Sequence, residues 1–107
     1  MITLNIRYRG ANGSARAFAE EMLRSGTVAA IRSEPGNLRY EYYIPLDDAE
    51  MVLLIDSWTD QAAIDAHHAR AMMAAIAALR EKYDLHMTVE RFAGIDDNPE
   101  DARFLRK

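Results

Sequence analysis

His67 is the side chain best suited to acid–base chemistry in this sequence, because a neutral imidazole near pH 7 can accept a proton at one nitrogen while a neighbour orients the ring through the other. Trp58 stands nine residues earlier, and its π-face can stack a flat aromatic molecule in offset or edge geometry. Both residues also have structural uses, His67 as a hydrogen-bonded residue beneath a helix and Trp58 as a core anchor at the end of a strand. Asp56, Asp60 and Asp65 lie near His67 in sequence and read as caps and solvated charges, one of which can orient the imidazole. His68 falls about 100° further around a helix and points to solvent. Since His67, His68 and His86 lack the spacing that sets two imidazoles on one helix face, no metal site is expected. The absence of cysteine excludes a thiol nucleophile, a thiolate metal site and disulfides.

The elements that must position these residues follow from periodicity. Glu34 to His67 reads as a helix end, a hairpin and a helix start. Leu38, Tyr40, Tyr42 and Ile44 alternate with Arg39, Glu41 and Tyr43 up to Pro45, which marks a strand. Tyr40 and Tyr42 share a face of it, and parity leaves open whether that face looks to the helices or away from them. Met51 to Ile55 is apolar on both parities, as expected of a strand covered on both sides. Helices cover one side, and a chain of 107 residues has no spare element for the other, so a partner's sheet is expected there. Asp60 caps a helix that places Ala63, Ile64 and His67 on one face. After a break near Ala69–Ala71, Met72, Ile76, Leu79 and Tyr83 continue a helical stripe.

Upstream, Ile2, Leu4, Ile6 and Tyr8 alternate with Thr3, Asn5, Arg7 and Arg9 in a first strand. Ser14 is the expected cap of one helix running to about Arg32, loosened at Gly26 and stopped by Pro35 and Gly36. Leu85 to Phe92 is the last strand. The order β-α-β-β-α-β is the ferredoxin-like split β-α-β plan, an α+β fold with an antiparallel sheet and helices on one face. Residues 1–94 form this domain. Residues 95–107 are a polar tail in which Asn98, Pro99 and Asp101 can open a short helix, with Phe104 and Leu105 as its adhesive residues. The tail is either free or laid on the core or on a partner.

A net charge of −4 with no gathered basic stripe argues against a nucleic-acid partner. The apolar run Ala71–Ala78 is too short to span a bilayer, and the alternating N-terminus has no apolar signal-peptide core, so a cytoplasmic location is expected.

The run E-P-G-N-L-R-Y-E-Y, then a hydrophobic strand and W-T-D-Q-A-A-I-D-A-H, resembles the antibiotic biosynthesis monooxygenase family over roughly residues 1 to 93. Members look like E-P-G-C-x-x-Y-E-x-Y with a strand ending in Trp and a His nine residues after it, and Trp58 and His67 keep that spacing. The resemblance implies a dimeric α+β barrel, a homodimer joined through the sheet face. It also implies cofactor-independent oxidation of quinol-like or polycyclic aromatic molecules by oxygen, without flavin or metal. In that setting His67 is the catalytic base: it takes a phenolic proton, and the anion left behind is electron-rich enough to reduce oxygen. Trp58, Tyr40, Tyr42, Met72 and Met73 are then the substrate-binding residues.

The chain also departs from the family pattern. Many members carry H-L-x-S-P-H-F, whereas His67 opens H-H-A-R-A-M-M, so Met72 and Met73 stand where a second His and a Phe would be and leave a softer, apolar wall. Haem-degrading relatives have Trp at the position of His67 and a ligating His ten residues later, where this chain has Ala77. The same plan also serves a non-catalytic small-ligand or stress-response barrel and an isomerase that uses the same His without oxygen.

Overall fold

Four strands, β1 (Ile2–Arg9), β2 (Asn37–Tyr43), β3 (Met51–Trp58) and β4 (His86–Ala93), form one antiparallel sheet in the order β2–β3–β1–β4 in a computed structural model that describes all residues from Met1 to Lys107. Helices α1 (Ser14–Arg24), α2 (Thr27–Arg32), α3 (Gln61–His68) and α4 (Met72–Lys82) pack on one face. This is the ferredoxin-like arrangement. The sheet lends Leu4, Ile6, Tyr8, Tyr40, Leu54 and Trp58 to the core, and the helices meet them with Phe18, Met22, Val28, Ile31, Ile64 and Ile76. Period two in the strands and i, i+3, i+4 in the helices place these residues on facing surfaces.

Register sets the rows on which the site is built. Tyr40, Asp56, Leu4 and Arg91 lie side by side across the sheet, and the next inward-facing row is Tyr42, Leu54, Ile6 and Val89. Tyr40 and Tyr42 therefore face the helices, which parity alone left open.

Three local features differ from the expectations. The helix between β1 and β2 is two helices: Gly26 adopts φ +85° at the start of α2, a left-handed conformation that ends α1 instead of loosening it. Ser14 does not cap α1, because Gly13 holds that position with φ +80° and the Ser14 hydroxyl accepts from the Ala11 N–H behind it, at 3.0 Å. The last strand starts one residue later than expected, at His86. Asp60 caps α3 through a 2.9 Å bond from the Ala63 N–H, and α3 breaks from α4 at residues 69–71.

The other face of the sheet is bare. Met51, Leu53 and Ile55 are half-buried there, Tyr43 and Phe92 are exposed, and Arg7–Glu90 and Arg9–Asp48 ion pairs flank them. In the tail, Asn98 accepts from the Glu100 N–H at 3.1 Å and opens a short 3-10 helix, Pro99–Phe104. Phe104 and Leu105 remain exposed and do not pack on the chain's own core. No helix is long and apolar enough to cross a membrane.

The turn from α2 into β2 is closely packed. Gly36 has φ +85°, its carbonyl accepts from the Thr59 N–H at 2.9 Å, and a Cβ there would lie 2.6 Å from the Ala63 Cβ. Gly26 has the same φ with open space around it. Gly26→Ala is therefore expected to lose about 1 kcal/mol from the left-handed backbone alone, and Gly36→Ala about 2–4 kcal/mol because the clash adds to it. Urea unfolding of the two variants checks this order, and equal losses would contradict it.

Candidate active site

The E-P-G segment is a structural device for placing one carboxylate. Pro35 and Gly36 end α2 and reverse the chain beneath α3, which leaves Glu34 at the turn, 7% exposed. Directly above it, α3 presents His67, 3% exposed, with Nδ1 at 3.0 and 3.1 Å from the two Glu34 carboxylate oxygens. Arg70, one helical turn from His67, donates Nε to the same carboxylate at 2.7 Å. A carboxylate only accepts, so Nδ1 carries the ring proton toward Glu34. Nε2 makes no hydrogen bond in the protein. A neutral His67 thus keeps its lone pair at Nε2.

Trp58 fixes the ring's plane. Its indole stacks on the imidazole with centroids 4.8 Å apart and planes 30° apart, and it is wholly buried. Its Nε1–H donates to Asp56 Oδ1 at 2.6 Å, a bond made possible because residues two apart on β3 share a face. Asp56 is a buried acid. Burial pushes its carboxyl up to about 6, Glu34 adds to the rise, and the Trp58 bond and His67 oppose it.

A cavity of about 210 Å³ opens beside these groups, between β1, β4 and α4. His67, Asp56 and Tyr40 border one part of it. Ile6, Met73 and Ile76 give it apolar walls, and the exposed side chains of His68, Met87 and Val89 form its rim. Leu4, Tyr8 and Arg80 complete the lining. Burial weakens the acidity of both hydroxyls, pushing the pKa of Tyr8 up to about 12 and that of Tyr40 higher still, so both are neutral donors at ordinary pH. No three His, Asp or Glu side chains are placed together as ligands for a metal ion.

Of the six residues expected at the site, His67, Tyr40 and Met73 border the cavity. Trp58 lies behind His67 and does not reach it, Tyr42 packs edge-on to Tyr40 and buries its hydroxyl without a hydrogen-bond partner, and Met72 packs against the core. The carboxylate that orients His67 is Glu34, not Asp56, Asp60 or Asp65. Asp65 bonds Gln61, and Asp60 is the α3 cap. Sequence reasoning gave no site role to Glu34, Tyr8 or Arg80, and it read Asp56 as a cap or solvated charge near His67, whereas the fold buries it. Asp56 had a visible signal, an acid on the parity of Val52, Leu54 and Trp58; Glu34 was visible only as part of a turn motif.

The raised pKa of Asp56 makes stability depend on pH in a definite direction. An acid that holds its proton more tightly when folded adds stability below the unfolded value of about 4, and that stability is lost as pH rises through about 6; the loss amounts to about 3 kcal/mol. Asp56→Asn keeps an acceptor for Trp58 and has no charge to bury. Between pH 4 and 8, wild-type stability should therefore fall relative to Asp56→Asn, as read from urea midpoints. A constant difference would show that Asp56 does not titrate in the fold.

With this geometry in hand, the chain can be placed among known proteins. A family model described as antibiotic biosynthesis monooxygenase matches residues 1–79. Among solved structures, a Deinococcus radiodurans protein at 17% identity superposes with a TM-score of 0.79, covering 92% of this chain and 97% of the other. A Pseudomonas aeruginosa protein at 26% identity reaches 0.74, over 89% and 94%. SnoaB from Streptomyces nogalater, a cofactor-independent oxygenase, reaches 0.74 at 20% identity, over 92% and 96%. Comparison with curated proteins gives no match. Each of these superpositions covers about nine-tenths of this chain, more than the 79 residues of the family match. With the matched segment running from β1 to most of α4, and containing Glu34, Trp58 and His67, the chain belongs to the antibiotic biosynthesis monooxygenase family.

Proposed function

We propose that this protein is a cofactor-independent monooxygenase of a quinol-like aromatic molecule, with His67 as the base. One observation carries the reading: a buried imidazole has Nδ1 tied to Glu34 and its ring covered by Trp58, so that Nε2 is the nitrogen left for the cavity. SnoaB, of the same fold, is a cofactor-independent oxygenase, which supports the reading.

The chemistry follows from charge. A phenolic hydroxyl delivers its proton to Nε2, and Glu34 stabilises the imidazolium that forms. The phenolate is electron-rich and passes one electron to oxygen; the radical pair then joins at a ring or benzylic carbon bearing hydrogen. The resulting carbon-bound hydroperoxide loses water to leave a carbonyl, so one oxygen atom stays in the product and the other departs as water. All four electrons come from the substrate. Asp56, which holds a proton up to about pH 6, is a second proton carrier in the same cavity. At about 210 Å³ the cavity lies below the range of roughly 300–1,000 Å³ typical of drug-sized ligands, which favours one or two rings over an extended polycycle. Met73 and Tyr40 line it, and Trp58 acts through His67 and Asp56 instead of stacking the substrate.

The bare sheet face supports a homodimer. Leu53, Ile55, Tyr43 and Phe92 form an apolar surface that no part of the chain covers, and in water such a surface favours association. In this reading a second copy supplies the missing layer, with small aromatic molecules and oxygen as the remaining partners.

Oxygen uptake with hydroquinones and naphthohydroquinones tests the catalytic role. His67→Ala should lose about 100-fold or more in kcat, and Glu34→Gln about 10-fold or more, through loss of the orienting carboxylate. Equal rates for wild type and His67→Ala would overturn the assignment. The dimer has its own test. Wild type should sediment as a dimer at micromolar concentration and Ile55→Lys as a monomer, whereas a monomeric wild type would contradict this assembly.

A further inference from the structure

Arg80 is the only arginine or lysine on the cavity wall, and it has no carboxylate partner. Its Nη1 donates to the Met87 thioether sulfur at 3.1 Å, a weak acceptor for a guanidinium with five donors. Arg70, near the opposite part of the site, is by contrast neutralised by Glu34. Arg80 is held in place by the fold. Met73, Ile76 and Arg80 fall at i, i+3 and i+7 on α4 and all line the cavity, so the helix stripe that seals it also carries the guanidinium.

The cavity therefore has two poles. Asp56 and Tyr40 lie on the row of Leu4 and His67 borders the same cavity from α3, whereas Tyr8 pairs with Met87, the residue Arg80 touches. Leu4 and Tyr8 are four residues apart on β1, or about 13 Å between backbones, and the side chains reaching in from both rows shorten the gap between the groups themselves. Between the poles lie Ile6, Ile76 and Val89, which offer no polar atom to a ligand. One pole takes a proton, and the other presents an unpartnered positive charge with a neutral hydroxyl, Tyr8, beside it.

We infer that Arg80 receives a carboxylate on the substrate, so that the cavity is built for a hydroxylated one- or two-ring aromatic acid with its hydroxyl at His67 and its carboxylate at Arg80. The planar guanidinium matches a carboxylate through two parallel hydrogen bonds. This inference rests on the cavity being the substrate site proposed above, but not on the reaction that occurs in it.

Calorimetric titration under argon, where no turnover occurs, tests it with two probes: a naphthol and the corresponding hydroxynaphthoate with its acid on the far ring. Wild type should bind the hydroxynaphthoate about tenfold or more tightly than the naphthol, the preference expected of one charge-assisted bidentate contact. In Arg80→Gln the ratio should fall to about one, and Arg80→Lys, which keeps the charge but not the fork, should retain part of it. Thermal unfolding of both variants confirms that they fold. Equal affinities in wild type, a preference that survives Arg80→Gln, or no binding of either probe would each overturn the inference. Arg80-dependent binding of the acid without oxygen uptake from its dihydroxy analogue in air would keep this inference and discard the monooxygenase reading. Oxygen uptake from an uncarboxylated naphthohydroquinone with no Arg80-dependent preference would do the reverse.

Discussion

A carboxylate taken out of water must find partners or lose its charge, and Glu34 finds two, the His67 ring and the Arg70 guanidinium. The uncompensated penalty for such a group is several kcal/mol, so the surrounding structure is obliged to bring both donors to it. The obligation runs through most of the fold. It requires α2 to stop before Pro35 and the chain to reverse at Gly36, and it requires α3 to start from Asp60 directly above that turn. The ion pair thereby ties the α2–β2 turn to the α3–α4 junction, two segments far apart in sequence. It also sets the direction of the imidazole, because one nitrogen is committed to Glu34 and the stack on Trp58 leaves little rotational freedom.

Around that fixed ring the electrostatics are graded. Asp56 is buried enough to keep its proton toward neutral pH, yet it is held by the indole N–H of the same Trp58 that backs His67. Tyr8 and Tyr40 stay neutral because burial disfavours their phenolates. The site thus gathers one paired carboxylate, one carboxylic acid, two phenols, the buried His67 imidazole with His68 at the rim, and one unpartnered guanidinium around a small, largely apolar cavity. Such a distribution of proton donors and acceptors suits transfer of a proton from a neutral ligand, since no wall group other than Arg80 presents a fixed, uncompensated charge.

Much of the fold was legible in the sequence because its determinants are local. Alternation gave the strands, the order of elements gave the sheet, and Asp60 gave the start of α3. The errors were also local. One rotatable backbone position, Gly26, converts a continuous apolar stripe into two helices, and the stripe itself persists across the break, so periodicity cannot detect it. The site was less legible because its key pairing spans thirty-three residues. His67 and Trp58 were visible by type and spacing, but Glu34 was hidden inside a motif that reads as a turn, and only the packing of that turn under α3 makes it a ligand of the imidazole. Trp58 stands out by type as a surface for a flat aromatic molecule, yet its π-face is occupied by His67, something residue type cannot reveal. Arg80 lies in the last turn of α4, where a cation is favoured on helix grounds alone, and only the pairing of Tyr8 with Met87 brings both residues to it.

The account stands on His67 presenting a bare Nε2 to the cavity. Nitrogen NMR of histidine-labelled protein at neutral pH, recorded under argon with and without a naphthohydroquinone, tests this directly. The free protein should show Nδ1 protonated and Nε2 unprotonated, and the Nε2 resonance should move toward the protonated range as the ligand saturates. A proton on Nε2 in the free protein, or an Nε2 resonance that does not move at saturation, would contradict it.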